Sequence, residues 1–102
     1  MCIRDSFKAL YAYSPYHRVK NGARYPAILM PTGANDPRVD PMQSRKMVAR
    51  LQAADPRATV LLRTSGSTGH GGIGASVKDA VSLLTDVDAF LLYELGVPPA
   101  RN

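Results

Sequence analysis

Two side chains in this sequence have the chemistry of a proton relay. His70 lies in the stretch TSGSTGHGGIGAS, residues 64 to 76, among five glycines. Asp36 lies 34 positions earlier, in PTGANDPRVDP, just after a short apolar run. A carboxylate that holds one ring nitrogen of an imidazole fixes its tautomer, and the other nitrogen is then free to take a proton from a hydroxyl. Each residue also has a plainer reading. Asp36 in Asn-Asp-Pro suits a turn, and a histidine among glycines suits a flexible loop.

The same glycines could serve other chemistry. Gly69, Gly71 and Gly74 spell G-x-G-x-x-G, the fingerprint of a dinucleotide-binding turn. That turn requires the first glycine close behind a strand and an acidic residue about 20 positions on, ending a second strand. Here Ser65 to Thr68 intervene, and Asp88, at the right spacing, falls in a helical pattern. No Gly-Lys-Ser/Thr triplet comes after them, so a phosphate loop is not spelled either. Gly66, Ser67, Thr68 and Gly69 lack the spacer of a G-x-S-x-G elbow, which argues against Ser67 as a nucleophile. His17 and His70 are the only histidines, and neither has a ligand partner at i+3 or i+4, so no metal site is expected.

These residues need elements to position them. Ala27 to Met30 is a short unbroken apolar run and Thr59 to Thr64 a second run, rich in β-branched residues. Continuous rather than alternating apolarity suits strands covered on both faces in a parallel sheet. Between them a helix is punctuated by Asp40 as N-cap, Pro41 in the first turn and Gln43 as capping-box partner. Met47, Val48, Leu51 and Ala54 form its apolar stripe; Arg45, Lys46, Arg50 and Gln52 are expected to face water. Asp55-Pro56 stops it. Strand, helix and strand of this length read as one right-handed βαβ unit. A second long helix starts near Ser76 with Asp79 three residues on, another capping box, and keeps Val77, Val81, Leu84, Val87, Phe90, Leu91 and Leu95 in helical spacing to Gly96. Upstream, FKALYAYSPYHRV reads as the end of one helix and, from Ser14 and Pro15, a short second one. In a parallel sheet both strand ends open on the same side, where the active sites of open α/β folds gather. Asp36 and His70 can therefore meet.

Composition narrows the class. The chain has 102 residues, 45% of them apolar, and a formal charge of +5. The basic residues are scattered singly, and Arg45, Lys46 and Arg50 group on a wet helix face, so no nucleic-acid stripe is expected. No apolar run approaches the roughly 18–20 residues of a membrane span. The single cysteine, Cys2, rules out an internal disulfide and says nothing firm about compartment. Two strands and two long helices cannot cover a parallel sheet on both faces. The chain is therefore expected to be the C-terminal part of a larger α/β domain: the last two parallel strands with flanking helices. Residues 1–6, MCIRDS, share no pattern with the rest of the chain and resemble a translated sequencing-adaptor remnant, so they are set apart as a leader. Residues 7–97 are the expected domain portion and 98–102 a tail, with Pro98 and Pro99 ending the ordered chain.

The motifs together resemble a known family. YSPYHRV, RYPAILMPTGANDPRVDPMQSRKMVARLQA and VLLRTSGSTGHGG are similar, in order and without large gaps from Phe7 to Leu95, to the C-terminal end of the catalytic domain of the prolyl oligopeptidase family of serine peptidases. D-x-R-V-x-P and G-H-G in one chain are more specific than either alone. The resemblance implies an α/β-hydrolase fold, with Asp36 as triad acid, His70 as triad base, and Arg38 holding a backbone carbonyl of the substrate. It assigns His17 no chemistry. It implies no cofactor, an oligopeptide substrate cleaved after proline, and a serine, oxyanion hole, proline pocket and β-propeller in a missing N-terminal part of the same chain. The fragment alone is expected to be inactive. An esterase or acyl hydrolase of the same fold is the alternative, and a nucleotide-binding module a third reading. The compartment, cytoplasm or periplasm, is left open for an expected soluble protein.

Overall fold

A computed structural model of the chain describes residues 3–98; Cys2 and the tail from Pro99 onward lie outside the described residues. The elements run α1 (Ile3–Tyr13), α2 (Pro15–Arg18), β1 (Ile28–Gly33), α3 (Met42–Ala54), β2 (Val60–Ser65), a 3₁₀ turn (His70–Gly72) and α4 (Val77–Glu94). Ile3 to Ser6, from the stretch set apart as a leader, form the first turn of α1.

β1 and β2 pair in parallel, with Ile28 opposite Val60 and Gly33 opposite Ser65. β1 runs through Pro31 rather than stopping before it. The reason lies in the ladder: the Ile28 N–H reaches the Thr59 carbonyl at 2.8 Å. Because strand N–H groups alternate in direction, the missing N–H of Pro31 falls on the edge away from β2, where it disturbs no bond.

α3 covers one face of this ribbon. Val48, Leu51 and Ala54 are buried against Val19 and Val60, with Ile28, Met30 and Leu62 packed around them. Burying a side chain such as Leu51 stabilises the fold by about 1.5–3 kcal/mol. The helix starts one residue later than the sequence suggests, with Pro41 at the cap position, so Gln43 makes no capping-box bond. Asp40 still serves the end, its Oδ1 accepting from the Met42 N–H at 2.9 Å. Asp55 closes the helix and is itself buried, its carboxylate accepting the N–H groups of Tyr25 and Arg57, each at 3.2 Å. Arg50, expected in water, instead donates to Asn21 Oδ1 and the Val19 carbonyl, at 2.6 and 2.7 Å. It thereby ties the segment after α2 to α3.

α4 begins as the sequence foretells, with reciprocal bonds between Ser76 and Asp79. Its end is a Schellman motif: Val97 N–H to Leu92 O at 2.9 Å and Gly96 N–H to Tyr93 O at 3.1 Å, with Gly96 at φ 69°. Arg63, whose side chain leaves the sheet on the face opposite Val60 and Leu62, holds α4 through Asp86 at 2.8 Å and Ser82 at 3.1 Å. The apolar stripe of α4 has helical spacing, yet it is uncovered. Val77 is 83% exposed and Leu84 61%, and among the stripe only Val87 and Phe90 are half-buried. A two-stranded ribbon is too narrow to cover an 18-residue helix. Among the described residues no helix is long and apolar enough to cross a membrane.

Candidate active site

The parallel pairing sends both strand ends in one direction, and each opens into a loop. Residues 34–41 after β1 carry Asp36; residues 66–76 after β2 carry His70. The two loops are in contact. The Ala34 N–H donates to Ser65 O at 2.8 Å and the Asn35 N–H to Thr68 O at 3.2 Å. Gly33 allows this approach, since a Cβ there would lie 2.5 Å from both the Thr68 and Gly69 carbonyl oxygens. Gly71 and Gly72 carry φ of 60° and 86°, values that L side chains seldom adopt, so the turn bearing His70 needs glycines on its far side.

At the junction His70 Nδ1 lies 2.8 Å from Asp36 Oδ2. The Asp36 side chain is only 10% exposed, while that of His70 is 43% exposed. The other carboxylate oxygen, Oδ1, accepts the N–H groups of Arg38 and Val39, each at 2.9 Å. Partial burial works against the charge on Asp36, but the Val39 and Arg38 amides and the His70 ring outweigh it. They hold this carboxyl below the ordinary aspartate value. An ionised Asp36 can only accept, so the proton between the two groups sits on Nδ1, and a neutral ring then carries its lone pair on Nε2. Among the described residues Nε2 has no hydrogen-bond partner. The ring borders a cleft of about 620 Å³ between the two loops and α4, also lined by Thr68, Arg63, Asp79 and Leu84.

The remaining residues singled out in the sequence have their own places. Arg38 is exposed beside the pair; its backbone N–H serves Asp36, and its guanidinium has no hydrogen-bond or ion-pair partner among the described residues. That backbone role was not legible in the motif, although Asp at the start of a tight turn commonly bonds amides two residues on. Ser67 donates to Asp79 Oδ2 at 3.0 Å. His17 stands apart at α2, bonded to Ser14 Oγ at 2.8 Å and stacked near Tyr11. For the G-x-G-x-x-G stretch, residues 66–76 separate β2 from α4, and no strand comes after α4 in the described chain. No group of three or more metal-ligating side chains occurs among the described residues.

Parallel strands joined by a covering helix, with an aspartate and a histidine at their carboxyl ends, define part of an α/β-hydrolase fold. The chain belongs to the prolyl oligopeptidase family, whose model matches residues 3–98. It is 39% identical over 95 residues to a prolyl endopeptidase of Elizabethkingia miricola, covering 92% of this chain and 13% of that one. It is 34% identical over 98 residues to Protease 2 of Moraxella lacunata, covering 92% of this chain and 14% of that one. A solved prolyl endopeptidase superposes with a TM-score of 0.83 at 45% identity, over 92% of this chain and 14% of that one. The chain thus spans only about one-seventh of the relatives that it matches.

Proposed function

We propose that this chain supplies the acid and the base of a Ser-Asp-His triad in a serine oligopeptidase. On this reading the nucleophile lies in sequence N-terminal to it, and the whole enzyme hydrolyses short peptides on the carboxyl side of proline. The observation that carries the reading is the 2.8 Å contact between Asp36 Oδ2 and His70 Nδ1, with Asp36 Oδ1 held by two amides. A carboxylate fixed from both sides cannot rotate away from the ring, so the ring keeps its place at the edge of the cleft with Nδ1 on the acid.

The chemistry is set by that geometry. As the serine hydroxyl attacks the peptide carbonyl, its proton passes to His70 Nε2, and Asp36 stabilises the imidazolium that forms. The tetrahedral adduct collapses to an acyl-enzyme as His70 returns the proton to the leaving amine. Water then adds through the same base, and the acid product leaves with the serine restored. On this reading Arg38, two residues beyond the acid, holds a substrate carbonyl; its guanidinium is exposed and has no partner among the described residues, and a guanidinium is always charged and rich in directed donors. Without the nucleophile the 102-residue chain by itself is inactive on this reading. The family membership and the names of the relatives support the peptide substrate.

The test is hydrolysis of a chromogenic proline-containing peptide by the full-length protein and its His70→Ala variant. Loss of about 10³-fold or more in kcat supports the base. Retention of activity within tenfold removes it. Hydrolysis of simple esters but no peptides would favour the acyl-hydrolase alternative.

A further inference from the structure

We propose that Asn35 is a positioning residue that locks the base loop onto the acid loop and so fixes the distance between His70 and Asp36. The inference rests on the proposed peptidase and deepens it. Asn35 directly precedes Asp36, and both of its donors reach across to the loop that carries His70. Its backbone N–H bonds Thr68 O at 3.2 Å and its Nδ2 bonds Gly66 O at 2.9 Å, so two carbonyls on the way to His70 are held from one residue. The side-chain bond spans 31 positions of sequence.

The need for such a clasp is visible in the loop itself. Gly66, Gly69, Gly71, Gly72 and Gly74 leave it little stiffness of its own. From its outer side it is held by Ser67 Oγ on Asp79. On the acid side the only side chain hydrogen-bonded to it, apart from Asp36 itself, is that of Asn35, among the described residues. Because Asn35 and Asp36 are adjacent, any motion of the Gly66 carbonyl is registered against the carboxylate that must hold the ring. Asn35 does not itself line the cleft and makes no hydrogen bond to the ring, so its effect passes through the placement of His70.

The test uses the full-length protein with Asn35→Ala and Asn35→His. Alanine removes the side-chain donor, and histidine returns a ring N–H at nearly the same distance from the backbone. Two quantities are read: kcat and KM for a short peptide, normalised to active sites by burst titration, and the low-field proton resonance of His70 Nδ1–H. For Asn35→Ala we expect kcat per active site to fall about tenfold, the loss of one hydrogen bond. KM should stay within about twofold, since substrate contacts are untouched. The His70 resonance should broaden through faster exchange with water, and Asn35→His should restore both. An unchanged kcat per site with an unchanged resonance in Asn35→Ala overturns the proposal, as does failure of Asn35→His to restore either quantity. If the wild-type protein hydrolyses no peptide, the peptidase reading fails, and the resonance still decides the clasp.

Discussion

Gly33→Ala is a demanding perturbation, because a single methyl meets two carbonyls at once. The added Cβ would lie 2.5 Å from the Thr68 and Gly69 oxygens, whereas ordinary contact begins near 3.4 Å, so one side must retreat by roughly 0.9 Å. The strand cannot easily yield, since Gly33 is paired with Ser65 in the ladder and Ala34 bonds Ser65 O. The glycine-rich loop yields instead, and it carries His70 one residue beyond the clash. The pair that stands at 2.8 Å would open toward the limit at which a hydrogen bond exists. A misplacement of about 1 Å in a catalytic group costs about 10²-fold in rate. The strain itself destabilises the fold by about 1–3 kcal/mol, as overpacking does. The assay is kcat on a short peptide, per titrated active site, together with thermal unfolding of the same preparation. A variant that folds with kcat within threefold of the wild type would refute the claim that this close approach sets the His70–Asp36 geometry.

Other consequences arise from the charges around the site. Bonds from Ser76 and Ser67 hold the Asp79 carboxyl below its ordinary value of 3.8. A depressed folded-state value stabilises above the unfolded one, and the contribution is lost as pH falls through the folded value. The base loop should therefore loosen from α4 as pH drops below about 4, and Asp79→Asn should flatten this acid step in a circular-dichroism titration of the full-length protein; an unaltered step would contradict the assignment. Arg38→Ala should lower kcat/KM for peptides by at least about tenfold, the loss of a charged hydrogen bond. A simple ester with no second carbonyl to hold should lose less, and equal losses on both would remove the clamp.

How far the fold was legible in the sequence depends on the range of the physics involved. Capping and termination are local, so Ser76 with Asp79 and the Gly96 cap could be read from a few neighbouring letters. The meeting of Asp36 and His70 is non-local, yet parallel pairing alone brings two strand ends together, and the apolar runs around Leu29 and Leu61 implied that pairing. Asn35 was invisible because a bond across 31 residues leaves no spacing signal. Arg50 misled for a related reason: its place on a polar helix face says nothing of the Val19 carbonyl waiting beside it. The α4 stripe marks the limit most clearly. Periodicity reveals that Val77, Val81 and Leu84 share a side, but not what covers that side, and here they stand exposed.

The central claim is that Asp36 and His70 act as one unit, and a double-variant cycle in the full-length protein tests it most directly. The kcat values of Asp36→Asn, His70→Ala and the double variant would be measured on one proline-containing peptide. The account predicts that each single change costs about 10³–10⁴-fold and that the double variant loses little more than His70→Ala alone, as for residues of a single relay. Losses that multiply, or a single variant that keeps activity within tenfold, would contradict it.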